Sequence, residues 1–120
     1  ELVSELVHDL GLGVEKALMK HGKNIIERQF LQERMANAAI DIYLSTAVLS
    51  RTTYEIERAG GDPAAAEEHL DCARLFIPMA YRRARRQIRA LSRNQDQRMR
   101  AVADRALAAG NLGPETPTDA

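Results

Sequence analysis

The most constraining feature of this sequence is the stretch from Lys20 to Arg51, KHGKNIIERQFLQERMANAAIDIYLSTAVLSR, which has no proline and only one glycine, near its start. Apolar residues recur in it at intervals of three and four, which is the spacing of one helix face. Asn24 is a good N-cap residue with Glu27 three places on, as in a capping box. The sequence therefore predicts a helix of about 35 residues, roughly 50 Å long, that ends at Gly60-Gly61.

This long helix carries two apolar lines. The first repeats at heptad-like intervals, with Ser45 filling one gap, and consists of Leu31, Met35, Ala38, Ile42, Leu49 and Ile56. The second widens the apolar face and consists of Ala36, Ala39, Ile40, Tyr43 and Ala47. We therefore expect the helix to contact apolar neighbours on two sides, with no room for a cofactor of its own.

Three further helices are predicted around the long one. The first covers Glu1 to about Gly22, and its glycines, Gly11 and Gly13, indicate a kink or a close contact with another helix. The third begins at Asp62-Pro63, an N-cap followed by proline at the first helical position. Its inward arc is predicted to comprise Leu70, Ala73, Ile77, Ala80, Tyr81, Ala84, Ile88 and Leu91, and Pro78 should bend it.

A fourth, shorter helix is predicted from Asn94 to Gly110, with the following residues facing inward: Met99, Val102, Ala103, Ala106 and Leu107. Short turns between four helices favour an all-α, up-and-down four-helix bundle with one long central helix. We assign residues 1–110 to this domain. Residues 111–120 contain two of the four prolines and are predicted to be a flexible tail.

The composition limits the class of protein. The 120 residues are 45% apolar and 28% charged, which is typical of one globular domain with a core of ordinary proportions. Lysine plus arginine equals aspartate plus glutamate at 17 each, so no global field attracts nucleic acid. The chain starts with Glu1 rather than Met and is predicted to be a piece of a longer one. Cys72 is the single cysteine of the sequence and is predicted to be a buried thiol. A reducing, cytoplasmic location is expected.

No catalytic, cofactor-binding or metal-binding residue is predicted. The histidines, His8, His21 and His69, lie on three different segments. The pairs Glu5 with His8 and His69 with Cys72 have helical spacing, but two ligands do not make a zinc or di-iron site. No phosphate-binding glycine loop and no nucleophile motif occurs in the sequence.

The conspicuous charge feature is YRRARRQIRALSR, in which one helix face carries five arginines, Arg82, Arg85, Arg86, Arg89 and Arg93. One interpretation is a docking face for phosphate head groups at a membrane or for an acidic protein. The other is a solvated helix face, partly paired with acidic residues of the long helix such as Glu27, Glu33, Asp41, Glu55 and Glu57. No aromatic residues interleave with the arginines, so nucleic acid is not expected as a partner.

The long-helix stretch resembles the C-terminal extension of very-long-chain acyl-CoA dehydrogenases and their close relatives. The resemblance depends on Lys20, Lys23, Gln29, Arg34, Met35, Ala36, Ala39, Ile40, Asp41, Ile42, Tyr43, Val48, Leu49, Ser50 and Arg51. It is dense over about thirty residues and thinner over the third and fourth helices. Pro78 and the arginine run are not part of the family pattern.

The resemblance implies a parent enzyme that uses FAD to insert a double bond into an acyl-CoA thioester during fatty acid β-oxidation. The flavin and the catalytic glutamate of such an enzyme belong to the preceding catalytic region, so this chain would be a non-catalytic helical domain without its own cofactor. The resemblance further implies an upstream catalytic domain as partner, a homodimer, and peripheral contact with the inner face of a membrane. Two alternatives remain: a docking module that uses the five arginines, and a helical regulator of an unrelated partner.

Overall fold

The computed structural model describes residues 1–110, which form four α-helices: α1, Leu2–His21; α2, Gln29–Arg58; α3, Glu67–Ala90; and α4, Asp96–Ala108. The 3₁₀ segments Gly22–Glu27 and Pro63–Ala66 precede α2 and α3. Residues 1–110 contain no strand, so the predicted all-α class with four helices and a long central one is confirmed. The predicted flexible tail, 111–120, lies outside the described residues.

The long helix begins later than predicted, and Asn24 does not cap it. The N–H of Arg28 donates to the carbonyl of Ile25 at 3.0 Å, which is a 3₁₀ hydrogen bond. The side-chain amide of Gln32 donates to the carbonyls of Ile25 and Ile26 at 2.9 and 2.8 Å. Because these carbonyls are bound outside an α-helical ladder, α2 starts at Gln29 and has 30 residues, about 45 Å.

Helix α1 is continuous through Gly11 and Gly13, and the second glycine marks a close helix contact. A Cβ atom on Gly13 would lie 2.9 Å from Cδ1 of Leu91, at the end of α3. Gly22 ends α1 with a φ of 53°, in the left-handed region where glycine is favoured. The predictions of a close contact and of a terminator at Gly22 are both confirmed.

The main contact of the fold joins α2 to α3, and small side chains dominate it. The buried residues recur every seven positions along each segment: Leu31, Ala38, Ser45 and Thr52 on the first, and Ala66, Ala73 and Ala80 on the second. Such a repeat keeps one seam of each helix facing the other, and small side chains allow a close approach. The predicted inward arc of α3 is confirmed, since all eight of its residues are buried or half-buried.

The start of α3 follows its predicted chemistry. The carboxylate of Asp62 accepts a hydrogen bond from the N–H of Ala64 at 3.1 Å, and Pro63 occupies the first turn. That first turn is 3₁₀ before the chain continues as α3. Helix α3 then passes through Pro78 without interruption.

The prediction that the apolar side of α4 faces inward is wrong. Met99, Val102 and Leu107 are exposed, and no residue of α4 is buried. The helix has almost no contact with the other three, so its apolar residues have no neighbour to face within residues 1–110. Its attachment is at its N-terminus, where Arg34 of α2 donates two hydrogen bonds to Asp96.

The core is smaller than the composition predicts. The buried apolar residues of the described chain include only three larger than alanine, and the full set is Leu6, Ala17, Leu31, Ala38, Ala66, Ala73, Ala80, Ala84 and Leu91. The accessible surface is 9226 Å², whereas a folded monomer of this length exposes about 6,500 Å². The molecule measures 76 × 44 × 18 Å, so it is a thin plate of helices with little interior.

Two further sequence predictions are wrong. The second apolar line of α2 is exposed along its whole length, so within residues 1–110 this helix is contacted on one side, by α1 and α3. Cys72 is also exposed. It precedes the buried Ala73 but lies about 100° around the helix from it, because each residue turns the chain by that angle.

Candidate interaction surface

The outer face of α2 is an exposed apolar row made of Ala36, Ile40, Tyr43, Ala47 and Tyr54. At 100° per residue these five positions fall within an arc of about 60°, opposite the buried seam. The row extends about 27 Å along the helix. The same regular helix that packs on α3 therefore presents a second, straight apolar edge to the solvent.

The exposure of this row is high for apolar side chains. Tyr43 is 72% exposed, Ile40 is 54% exposed and Tyr54 is 53% exposed. Single exposed apolar residues are ordinary on protein surfaces, but a contiguous row of them is typical of a surface that binds a partner. Tyrosine is also a residue type that is enriched at such contacts.

Polar groups border the outer face of α2. The guanidinium of Arg51 lies 5.6 Å from the ring centre of Tyr54 and 2.7 Å from a carboxylate oxygen of Glu55. Beside Ile40 is an open groove of about 340 Å³, with walls that include Asp41 and Arg86. An apolar centre with a polar margin is the usual layout of a protein–protein contact.

Two bidentate ion pairs join α2 to the helices beside it. The first joins Asp41 of α2 to Arg83 of α3 at 2.7 and 3.3 Å, with Asp41 buried. The second joins Arg34 to Asp96 at 2.6 and 2.7 Å, with both side chains largely covered. The hydrogen bonds from Arg34 lower the pKa of Asp96, and those to Asp41 raise the pKa of Arg83.

A second exposed apolar area lies on α4. A groove of about 360 Å³ separates Phe30 of α2 from Met99 and Ala103 of α4. Because α4 buries none of its own residues, this groove is open on the solvent side of the molecule. It adds apolar surface to the same half of the plate that carries the N-terminal end of α2.

The five predicted docking arginines do not form one uniform surface. Arg85 is partly buried, donates to the hydroxyl of Tyr81 and lies 3.6 Å from Glu5 of α1. The other four, Arg82, Arg86, Arg89 and Arg93, are exposed, and within residues 1–110 no carboxylate oxygen lies within 4.0 Å of them. Pairing with an acid of α2 occurs at Arg83, at the margin of the run.

The residues that sequence reasoning considered as metal ligands stay apart. In the described part of the chain no three histidine, cysteine or acidic side chains are close enough to hold a metal ion. His69 lies 4.0 Å from Glu55, but within residues 1–110 no third side chain of these types is close enough to complete a metal site with them. None of the helices in residues 1–110 is long and apolar enough to cross a membrane.

Sequence reasoning did not identify the Arg34–Asp96 pair or the contact of Glu5 with Tyr81 and Arg85. A signal existed for the first pair. Asp96 is the single acid between Arg82 and Arg100, and Arg34 belongs to the run that carries the family resemblance. The two residues are 62 positions apart in the sequence. They meet only because the turn between α3 and α4 brings Asp96 beside α2.

Comparison with known proteins identifies the family. The sequence model of the family described as "ACAD9/ACADV, C-terminal domain" matches residues 1–112. The chain belongs to this family. Among its relatives, the very long-chain specific acyl-CoA dehydrogenase of Rattus norvegicus is 36% identical over 97 residues, or 81% of this chain and 14% of that protein.

Other relatives agree with this assignment. The Bos taurus and Homo sapiens enzymes of the same name, also mitochondrial, are 38% and 37% identical over 82 residues, or 68% of this chain and 12% of each protein. No solved structure matches the chain significantly. The chain thus spans about an eighth of the length of the curated relatives that it matches, and it corresponds to their C-terminal domain.

Proposed function

We propose that this chain is the non-catalytic C-terminal helical domain of a very-long-chain-type acyl-CoA dehydrogenase and that the outer face of α2 packs against the catalytic part of the same parent protein. The observation that carries the proposal is the exposed apolar row from Ala36 to Tyr54. Residues 1–110 offer nothing that covers this row. The relatives have more than 80% of their length outside the matched region, which supplies the occupant.

The residues that carry the family resemblance support this choice of face. Arg34 and Asp41 form the bidentate ion pairs that join α2 to α4 and to α3. Ala36, Ile40 and Tyr43 make no contribution to the buried core, so packing within the domain does not account for them. Contact with the rest of the parent protein would account for these three residues.

The parent protein, by the same proposal, oxidises an acyl-CoA thioester with FAD in fatty acid β-oxidation. Residues 1–110 have no strand, and so they lack the unit of strand, glycine-rich loop and helix that cradles a dinucleotide pyrophosphate in doubly wound folds. We therefore assign FAD and the catalytic base to the remainder of the parent. The 120-residue chain alone should be colourless and inert toward acyl-CoA, and yellow protein with bound FAD would contradict the assignment.

The experiment that tests the docking face uses the double substitution Ile40→Ser and Tyr43→Ser. In the full-length parent it should lower the melting temperature by several degrees, because two buried apolar contacts are lost. In the isolated 120-residue chain it should leave stability unchanged within about 0.5 kcal/mol, since both residues are exposed there.

A matched control for that experiment is Leu75→Ser with Met79→Ser on α3, two residues that are also exposed but lie off the outer face of α2. These changes should leave the parent unaffected. A parent protein that tolerates the Ile40 and Tyr43 changes would refute the docking face. A full reading frame without a dehydrogenase region before Glu1 would refute the parent itself.

Two finer points belong to the same proposal: the parent is a cytoplasmic homodimer, and it contacts a membrane peripherally. The exposed arginines Arg82, Arg86, Arg89 and Arg93 are the surface for the second point. Co-sedimentation of the parent with anionic vesicles should decrease at high salt and when Arg82, Arg86 and Arg89 are replaced by Gln. Sedimentation that persists in the triple variant would remove this role from the arginine run.

A further inference from the structure

A basic groove lies where the C-terminal end of α1 meets the turn between α3 and α4. It consists of two adjoining cavities of about 290 and 270 Å³ that share Lys20, His21, Leu91 and Ser92 in their walls. Its basic residues come from four parts of the chain: α1, the residue before α2, α3 and α4. They are Lys16, Lys20, His21, Arg28, Arg85, Arg89 and Arg98. No single helix face produces this convergence, since four parts of the chain contribute to it.

The acidic residues of the groove do not neutralise it. Asp96 is held by two hydrogen bonds from Arg34, which is outside the groove. The charges of Asp9 and Glu5 act on Arg85. The remaining cations are Lys16, Lys20, Arg28, Arg89 and Arg98. The charge of Arg28 acts on Asp96, but no carboxylate oxygen of residues 1–110 lies within 4.0 Å of any of the five.

The pKa of His21 responds to the positive charges around the groove. Its pKa is lowered first by burial and then by the positive charges of Arg28 and Lys20. Gathering like charges around a half-buried imidazole costs free energy that a bound anion would offset. The imidazole is therefore a built-in probe, because an anion in the groove would raise its pKa.

The shape and the neutral groups of the groove indicate the class of anion. Ser92, Gln95 and Gln97 add hydroxyl and amide donors to the cationic walls, and Leu31 and Leu91 form part of the lining below them. Several donors and charges around a concave space suit a compact anion with more than one negative charge, as in phosphate recognition. A flat bilayer surface would reach the rim but not the cavities.

We propose that the basic groove is a binding site for a soluble, phosphate-bearing anion with at least two negative charges. The proposal is independent of the docking face of α2, with which the groove shares no residue. The groove overlaps the arginine run at Arg85 and Arg89, which line the second cavity, whereas Arg82, Arg86 and Arg93 line neither cavity.

The test is an NMR titration of the 120-residue chain with inorganic pyrophosphate at fixed ionic strength, after circular dichroism has shown that the chain is helical. Pyrophosphate should shift the resonances of His21 in a saturable manner and raise the pKa of His21, with little effect on His8 or His69. Acetate at the same ionic strength carries one charge and should have little effect. Equal shifts with acetate would show simple screening and overturn the proposal.

Matched double variants locate the site. Lys20→Gln with Arg98→Gln removes two charges from the groove and should weaken pyrophosphate binding at least tenfold. Arg82→Gln with Arg86→Gln removes two charges from the exposed run and should change binding less than twofold. Equal weakening by the two double variants, no saturable shift at millimolar pyrophosphate, or binding to anionic vesicles without binding to pyrophosphate would each overturn the proposal.

Discussion

Ser45 lies on the buried seam of α2 and has an unsatisfied hydroxyl. It is 1% exposed, and its Oγ atom has no hydrogen-bond partner in the described structure. A buried hydroxyl without a partner costs free energy that a methyl group does not. The heptad pattern locates this position correctly, and the small size of serine matters there more than its polarity.

Ser45→Ala should therefore raise the free energy of unfolding by roughly 0.5–1 kcal/mol, through loss of the unpaired hydroxyl and a better helix propensity. Urea denaturation followed by circular dichroism measures the change. Ser50→Ala, at an exposed position of the same helix, gains only the propensity term and is the control. A Ser45→Ala variant that is less stable than the native chain would show that the hydroxyl has a partner.

The two glycines of α1 allow a second comparison at the residue scale. A Cβ atom on Gly11 meets nothing within 4 Å, whereas one on Gly13 meets Leu91 at 2.9 Å. Gly11→Ala should stabilise the chain by about 0.5–1 kcal/mol. Gly13→Ala should give a smaller gain or a loss, because Leu91 has to move. Equal stabilisation by the two changes in thermal unfolding would contradict the close contact between α1 and α3.

At the scale of elements, periodicity predicts which helices exist and which side of α3 is buried, but not where α2 begins or where α4 lies. The inward arc of α3 follows from a single 3.6-residue period. The start of α2 depends on the side chain of Gln32 binding two carbonyls of the preceding turn, and sequence spacing gives no such information. The position of α4 depends on the Arg34–Asp96 ion pair between distant parts of the chain, which is a tertiary property.

Helix α4 should depend on the Arg34–Asp96 ion pair. Replacing Asp96 with Asn should weaken its attachment by roughly 1–2 kcal/mol, since a bidentate pair between largely covered side chains is lost. Amide exchange across α4 should become about tenfold faster, whereas the α2–α3 seam should keep its protection. Arg74→Gln, which removes exposed ion pairs to Glu67 and Asp71, is the control with no effect on α4.

The same pair predicts a pH dependence. Because Arg34 holds the pKa of Asp96 below its ordinary value of 3.8, the stabilisation is fully present above that value. It is lost as the pH falls through the lowered pKa, when the carboxylate takes up a proton. In the native chain, the protection of the α4 amides should therefore decrease when the pH is lowered below about 4. Protection that is equally pH-dependent in Asp96→Asn would assign the effect to other carboxylates.

At the scale of the whole molecule, the sequence predicts the family and the helical class but overestimates the core. The alanine content that favours helices also limits the apolar volume each helix can bury, so only Leu6, Leu31 and Leu91 contribute large buried side chains. The second apolar line of α2 was predicted to have a neighbour, and residues 1–110 do not provide one. A thin plate with an exposed apolar row is the expected form of a domain that completes its packing against a larger protein.

The most direct test of this account is hydroxyl-radical footprinting of Tyr43 and Tyr54 in the isolated chain and in the full-length parent. Both rings are more than half exposed in the chain alone, so both should be modified readily there. In the parent the account predicts at least fivefold protection of both rings, with Tyr81, half-buried within the domain, unchanged as the internal reference. Equal modification of Tyr43 and Tyr54 in the chain and in the parent would contradict it.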